Sequence, residues 1–390
     1  MPFCRTKCTY CNFASDVFSK AVFRKYVDRV CNDLESAQAS CQRLGGRFEP
    51  EVDSIYLGGG TPTILEAGEF ERLFAAVSQN FHETSGAEVT VECAPGTLTP
   101  AMLDALQACG VNRVSLGVQS FIDEEARAIG RLHRRDTVFT DIENLRAAGI
   151  PNISVDLIAG LPHQTTESWG KSLDQVIASG VPHVSVYMLE VDEDSRLGRE
   201  LIAGGTRYHA HLVPDENLTA ELYESACERL EEAGLRQYEI SNFARPGSRS
   251  RHNLKYWTRQ PYLGFGVDAH SMLEAIDPEL DAVRFATSDS LEKYVGGEAL
   301  ARTPVTHQNA LEETFFLGLR LSDGVDLAGV SSKFGENALA GLRPTFAELQ
   351  SLGLVVQREN RIQLTPRGRL LSNEVFERFL NFEAAQRTAL

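Results

Sequence analysis

Between about residue 52 and residue 240, short strand-like runs alternate with amphipathic stretches at intervals of roughly 30 residues, the pattern of repeated strand-helix units. The runs VDSIYLG, AEVTVEC, NRVSLGVQ, ISVDLIAG, HVSVYMLE and RQYEIS are the expected strands. Stretches such as TPAMLDALQACG and RDTVFTDIENLRAAG predict crossover helices, each closing on a glycine as helix C-termini commonly do. Three of the strands carry a second pattern. In AEVTVEC, Val89 and Val91 oppose Glu88, Thr90 and Glu92. In NRVSLGVQ, Val114, Leu116 and Val118 oppose Arg113, Ser115, Gly117 and Gln119, and in NISVDLI, Ile153, Val155 and Leu157 oppose Asn152, Ser154 and Asp156. A parallel strand buried on both faces reads as a continuous apolar run, so a polar second face predicts a barrel or part-barrel with a wet or ligand-holding lumen. Glu92, Gln119 and Asp156 fall near the C-terminal ends of those polar faces, where barrels of this kind build their active sites.

Beyond residue 240 the pattern changes. ARPGSRSRHNLKYWTRQPYLGFGVDAH is rich in Gly, Arg and aromatic residues, lacks clear periodicity and reads as ordered loop. From about residue 309 the chain reads as three or four helices with a small hairpin, GLVVQRENRIQLTP, the order of a winged-helix-like module. The expected organisation is an α/β part-barrel over 1–240, a loop-rich extension over 241–305, and a winged-helix-like α+β module over 306–390. A chain of 390 residues with 43% hydrophobic content supports a core of that size. Its 38 basic and 54 acidic residues leave a net charge of -16, which argues against general nucleic-acid binding, so protein contact or packing is the expected role of the module. No apolar run reaches the roughly 18 residues of a membrane span, no signal-peptide pattern is present, and a cytoplasmic location is expected. In such reducing surroundings eight cysteines are no disulfide framework, and Cys31, Cys41, Cys93, Cys109 and Cys227 are scattered as small hydrophobes would be.

Cys4, Cys8 and Cys11 are different, because the spacing Cys-x-x-x-Cys-x-x-Cys brings three thiolates onto one short loop. Two metal readings are open. Structural zinc, in a zinc-stabilised binding protein working through its winged-helix-like module, needs a fourth protein ligand. The next cysteine, Cys31, falls in a long amphipathic helix predicted from near Phe18. A 4Fe-4S cluster on three thiolates instead leaves one iron free for an exogenous ligand. Downstream, GGGTPT at 58–63 follows a strand, and its glycines let backbone come close to a ligand. No Gly-Lys-Ser/Thr follows, which disfavours a nucleotide P-loop.

CRTKCTYC, with Tyr10 just before the third cysteine, together with GGGTPT resembles the radical S-adenosylmethionine superfamily. In that superfamily the free iron chelates the amino and carboxylate groups of S-adenosylmethionine, and reductive cleavage gives a 5'-deoxyadenosyl radical. The blocks GGGTPT, VECAPGTLT, GVNRVSLGVQSF, IGRLH, VDLIAGLPHQT and HNLKYW, in this order, resemble the HemW family of heme chaperones, relatives of the oxygen-independent coproporphyrinogen III oxidases (HemN). Two features favour the chaperones. The oxidases carry a further cysteine two positions after the third, where this chain has Phe13, and HNLKYW matches the His-Asn-x-x-Tyr-Trp heme motif.

The resemblance implies a (β/α)6-like partial TIM-type barrel and a chaperone that binds heme and passes it to acceptor hemoproteins. The oxidase activity, radical decarboxylation of coproporphyrinogen III propionates, is the alternative. Carried onto this sequence, Cys4, Cys8 and Cys11 would hold a 4Fe-4S cluster, and Tyr10, Gly59, Gly60, Thr61, Glu92, Gln119, Arg131 and Asp156 would line the S-adenosylmethionine site. His252 would be the axial heme ligand, with Tyr256 and Trp257 offering flat surface to the porphyrin. Homodimerisation and peripheral membrane contact are left open. Members of the family enter the first cysteine from a strand, whereas Met1 here stands three residues before Cys4. The first barrel strand is therefore expected to be missing, through an internal start or a truncated product, with an exposed strand edge beside the cysteines.

Overall fold

Strands that are apolar on one face and polar on the other run side by side as β1 (Glu51–Leu57), β2 (His82–Cys93), β3 (Arg113–Gln119), β4 (Asn152–Ala159) and β5 (His183–Met188). All four pairings are parallel in the computed structural model, which describes residues 1–380, and the register sets Leu57 beside Val91, Glu92 beside Ser115 and Asp156 beside Ser185. Helices Ala67–Asn80, Pro100–Ala108, Arg135–Ala147, Thr166–Ala178 and Glu216–Glu232 provide the crossovers. The outward residues Val89, Val91, Val114, Leu116, Val155 and Val186 form one core with Phe70, Leu106, Ile142 and Trp169 of those helices. Burying such side chains removes apolar surface from water at about 25 cal/mol per Å², the main stabilisation of this layer. Trp169 is fully buried there and donates its Nε1–H to the Leu222 carbonyl at 2.7 Å.

The sixth expected strand is shorter than its sequence suggests. Only Arg236–Gln237 of RQYEIS forms β6, paired antiparallel with β7 (Asn242–Ala244), and β7 in turn lies antiparallel to β5. The four residues Tyr238 to Ser241 between them can close a hairpin but not a parallel crossover, which takes a dozen or more. At the other side β1 is the outer strand, with β2 as its neighbour in the sheet. Phe3 stacks on Phe23 at 4.0 Å and meets Tyr26 edge-on, so the first residues rest on helix Lys20–Glu35.

The stretch read as loop holds a helix, Arg251–Trp257, before the antiparallel strands β8 (His270–Glu274), β9 (Ala282–Ala286) and β10 (Ala301–Val305). The C-terminal module contains helices His307–Gly318, Leu327–Phe334 and Glu336–Ser351 and a small sheet of β11 (Val325–Asp326), β12 (Val355–Arg358) and β13 (Arg361–Leu364). Phe315 and Phe379 stack at 5.1 Å in its core. The last ten residues of the expected 306–390 module lie outside the described residues. No helix among the described residues is long and apolar enough to cross a membrane.

An ion network joins the extension to the module. Arg259 reaches Glu313 (2.7 Å) and Asp281 (3.0 Å), Arg284 reaches Glu313 (2.7 Å), and Lys333 reaches Asp281 (3.0 Å). The Arg259 and Glu313 side chains are 5% and 7% exposed, so removing Glu313 strips the buried guanidinium of one of its two carboxylates and leaves Asp281 as the other. Glu313→Ala is expected to lower stability by about 1–3 kcal/mol, measured by urea unfolding; a loss below about 0.5 kcal/mol would show Glu313 to be dispensable.

Candidate functional site

Two loops at the C-terminal ends of the strands, one after β3 and one after β5, grip the cysteine loop. The Thr9 amide donates to the Ile129 carbonyl at 3.1 Å, the Thr6 hydroxyl to the Gly130 carbonyl at 2.9 Å, and the Leu197 amide to the Thr9 carbonyl at 2.9 Å. Lys7 folds back to the carbonyls of Phe13 and Ser15, both at 2.6 Å. Cys4, Cys8 and Cys11 are half-buried and free. Among the described residues no three His, Cys, Asp or Glu side chains are placed to hold a single metal ion. A tetrahedral zinc needs its ligands gathered on one ion, whereas a 4Fe-4S cluster takes each thiolate on a separate iron, so this loop fits the cluster better.

The glycines of GGGTPT serve the chain itself. A Cβ on Gly60 would stand 2.5 Å from the Phe3 carbonyl oxygen, and one on Gly58 would stand 2.5 Å from the Tyr56 ring and 2.6 Å from Glu92 Oε1. The amides of Gly60 and Thr61 donate to the carbonyls of Met1 (2.6 Å) and Phe3 (2.7 Å), while that of Gly59 donates to Glu92 Oε2 at 2.9 Å. At Gly60 and Thr61, residues 1–3 thus make a close approach of their own.

Glu92, Gln119, Arg131 and Asp156 come together at the top of the lumen with Tyr10. Asp156 accepts from Ser115 at 3.1 Å, and burial pushes its carboxyl up to about 6. Burial also raises Glu92, against the opposing hydrogen bonds from Tyr56 and Gly59. Arg131 is the counter-charge. Its burial disfavours the cation, but Tyr10 and Cys8 beside it more than offset that, and its Nη2 lies 3.5 Å from the Tyr10 hydroxyl. Burial raises the Cys8 thiol, with Arg131 acting the other way. Gly117 leaves room for this group, since a Cβ there would stand 3.0 Å from Arg131 Nη2 and 3.3 Å from Gln119 Nε2. Gln119 sits at a bulge in β3 with φ of 72°. Its Oε1 and the Nε of Arg131 are buried without partners.

His252 belongs to the same lumen. Glu88, on the inner face of β2, accepts from the Arg251 and His252 amides (3.0 Å each) and from the Ser250 hydroxyl (3.3 Å), fixing the N-terminus of helix Arg251–Trp257. The imidazole has Ser54 Oγ 3.0 Å from Nδ1 and the Tyr256 hydroxyl 2.9 Å from Nε2, and its ring stacks on Tyr56 at 4.9 Å. Burial pushes its pKa down to about 4. Trp257 is not part of this group. Residues 252 and 256 share a helix face, whereas 257 is turned from it and meets the Tyr256 ring only edge-on, at 6.5 Å. Arg320 lies 4.4 Å over the Trp257 ring instead.

Residues 1–176 match the radical SAM superfamily model and residues 305–371 the HemN C-terminal domain model. The chain is 36% identical to the heme chaperone HemW of Bacillus subtilis, across 97% of each chain, and 30% identical to that of Escherichia coli, across 97% and 96%. The chain belongs to the HemW family. Coproporphyrinogen III oxidase (HemN) of Escherichia coli shares its fold at a TM-score of 0.82 and 24% identity, covering 98% of this chain and 89% of that one. Membership in the HemW family and its radical SAM domain imply a 4Fe-4S cluster and S-adenosylmethionine.

Sequence reasoning missed Ser54, Tyr56 and the role of Glu88. The signal was there: Ser54 and Tyr56 alternate with Ile55 and Leu57 as the polar face does on β2 to β4. Gly60→Ala is expected to displace residues 1–3, costing about 1–3 kcal/mol in urea unfolding and raising the thiol-labelling rate of Cys4 in cluster-free protein. Gly68→Ala, where a Cβ would meet nothing within 4 Å, is the control, and equal behaviour of the two variants would refute the packing role.

Proposed function

We propose that this chain binds heme through His252 and delivers it to acceptor hemoproteins. It carries a 4Fe-4S cluster on Cys4, Cys8 and Cys11 and binds S-adenosylmethionine at Tyr10, Gly59, Gly60, Thr61, Glu92, Gln119, Arg131 and Asp156. The observation that supports it most is the state of His252. A buried imidazole kept neutral, with one ring nitrogen on Ser54 and the other on a displaceable tyrosine hydroxyl, suits an axial ligand. Displacing the Tyr256 hydroxyl frees the Nε2 lone pair for iron, while Ser54 keeps the proton on Nδ1. The residue also borders a cavity of about 1020 Å³ along β1, with Tyr256, Tyr262, Leu263 and Phe265, at the upper end of the range for small-molecule sites.

At the top of the lumen, the cluster when bound supplies an open iron for the amino and carboxylate groups of S-adenosylmethionine. Glu92 and Asp156 offer acceptors to ammonium and hydroxyl groups, and Arg131 balances the thiolates. The relatives named heme chaperones and the chain's Phe13 at the oxidases' extra cysteine position favour transfer of heme over decarboxylation.

His252→Ala is expected to weaken hemin binding about tenfold or more and to shift the Soret band; unchanged affinity and spectrum would overturn the assignment. Because the imidazole stays neutral down to about pH 4, wild-type affinity should hold from pH 8 to about pH 5. A ligand of ordinary pKa near 6.5 would lose roughly fivefold between pH 6.5 and 5.5. Anaerobic incubation with reductant, S-adenosylmethionine and coproporphyrinogen III is expected to give no protoporphyrinogen, and its formation would establish the oxidase reading instead.

A further inference from the structure

The two sites proposed above share one side chain. β1 turns Ser54 and Tyr56 to the inner face, and Glu92 on β2 lies diagonally across from Tyr56. The Tyr56 hydroxyl donates to Glu92 Oε1 at 2.7 Å, while the face of its ring packs on His252, with the planes 20° apart. Gly58 makes this arrangement possible, because any Cβ there would strike both Tyr56 and Glu92.

We propose that Tyr56 is a positioning residue that couples S-adenosylmethionine at Glu92 to heme at His252. The proposal rests on the functional reading above and deepens it. A carboxylate offers about four acceptor directions, and the Tyr56 hydroxyl and the Gly59 amide use two, so a ligand donor adds to them without displacing either. A ligand on Glu92 restricts the carboxylate, the carboxylate holds the Tyr56 hydroxyl, and the Tyr56 ring holds the imidazole plane. An imidazole already oriented loses less freedom when it binds iron, so the coupling is positive. By linkage each ligand tightens the other by the same factor.

The test uses the anaerobically reconstituted full chain. Hemin is titrated with and without saturating S-adenosylmethionine, followed by the Soret band, and S-adenosylmethionine is titrated with and without hemin by calorimetry. In the wild type, each ligand is expected to tighten the other about fivefold or more. Tyr56→Phe keeps the ring and removes the hydroxyl, and its factor is expected to fall to within about twofold of one. An equal factor in both proteins, or no coupling in the wild type, would overturn the proposal while leaving the heme assignment intact. Should Tyr56→Phe fail to fold, Tyr56→Leu, which also removes the hydroxyl, takes its place with the same loss of coupling expected. Absence of hemin binding to the wild type is the separate outcome that removes the heme reading, and this inference with it.

Discussion

Polar side chains turned into a barrel lumen must find partners there, because each buried donor or acceptor left alone costs roughly 1–3 kcal/mol. This chain solves the problem differently at the two ends. At the N-terminal end of the strands most groups pair with one another: Ser154 lies 2.7 Å from His183, His183 lies 2.9 Å from the Tyr238 hydroxyl, and Arg113 donates to Asn152 and the Ser248 carbonyl, while the Thr90 hydroxyl beside Arg113 is buried without a partner. Glu88 adds to these pairings by seizing the helix that carries His252. At the C-terminal end Gln119 and Arg131 keep atoms unpartnered. The C-terminal end is where the residues proposed to take S-adenosylmethionine lie.

The C-terminal end has an unusual charge balance. Two carboxyls raised by burial and a thiol raised by burial surround one guanidinium. In water the two carboxyls would ionise freely, but here their anions are stabilised only by what stands beside them.

The alternation of polar and apolar residues on β2, β3 and β4 was enough to read a part-barrel with a lined lumen, and to place Glu92, Gln119 and Asp156 at its working end. The same alternation on β1, with Ser54 and Tyr56 inward, would have extended the reading to the neighbours of His252. Helix Arg251–Trp257 was beyond reach for a physical reason. It spans two turns and is half-buried on every side, so no apolar stripe marks it, and the carboxylate that fixes its start lies more than 160 residues earlier on another strand. Without the helix, the separation of Trp257 from His252 could not be seen. That the glycines also make room for residues 1–3 was not legible, because local sequence does not encode that contact.

The grip on the cysteine loop has a consequence in time. Its holding partners lie far along the chain: Thr6 and Gly130 are 124 residues apart, Asn12 and Asp192 180, and Lys7 and Arg196 189. At roughly 5–20 residues per second of synthesis, the three thiols leave the ribosome on the order of ten seconds or more before the loops that clamp them exist. During that interval they belong to an unstructured segment open to oxidants and to stray metals. The part of the molecule made early is the part secured late, so its chemistry must be guarded while the rest is still being written.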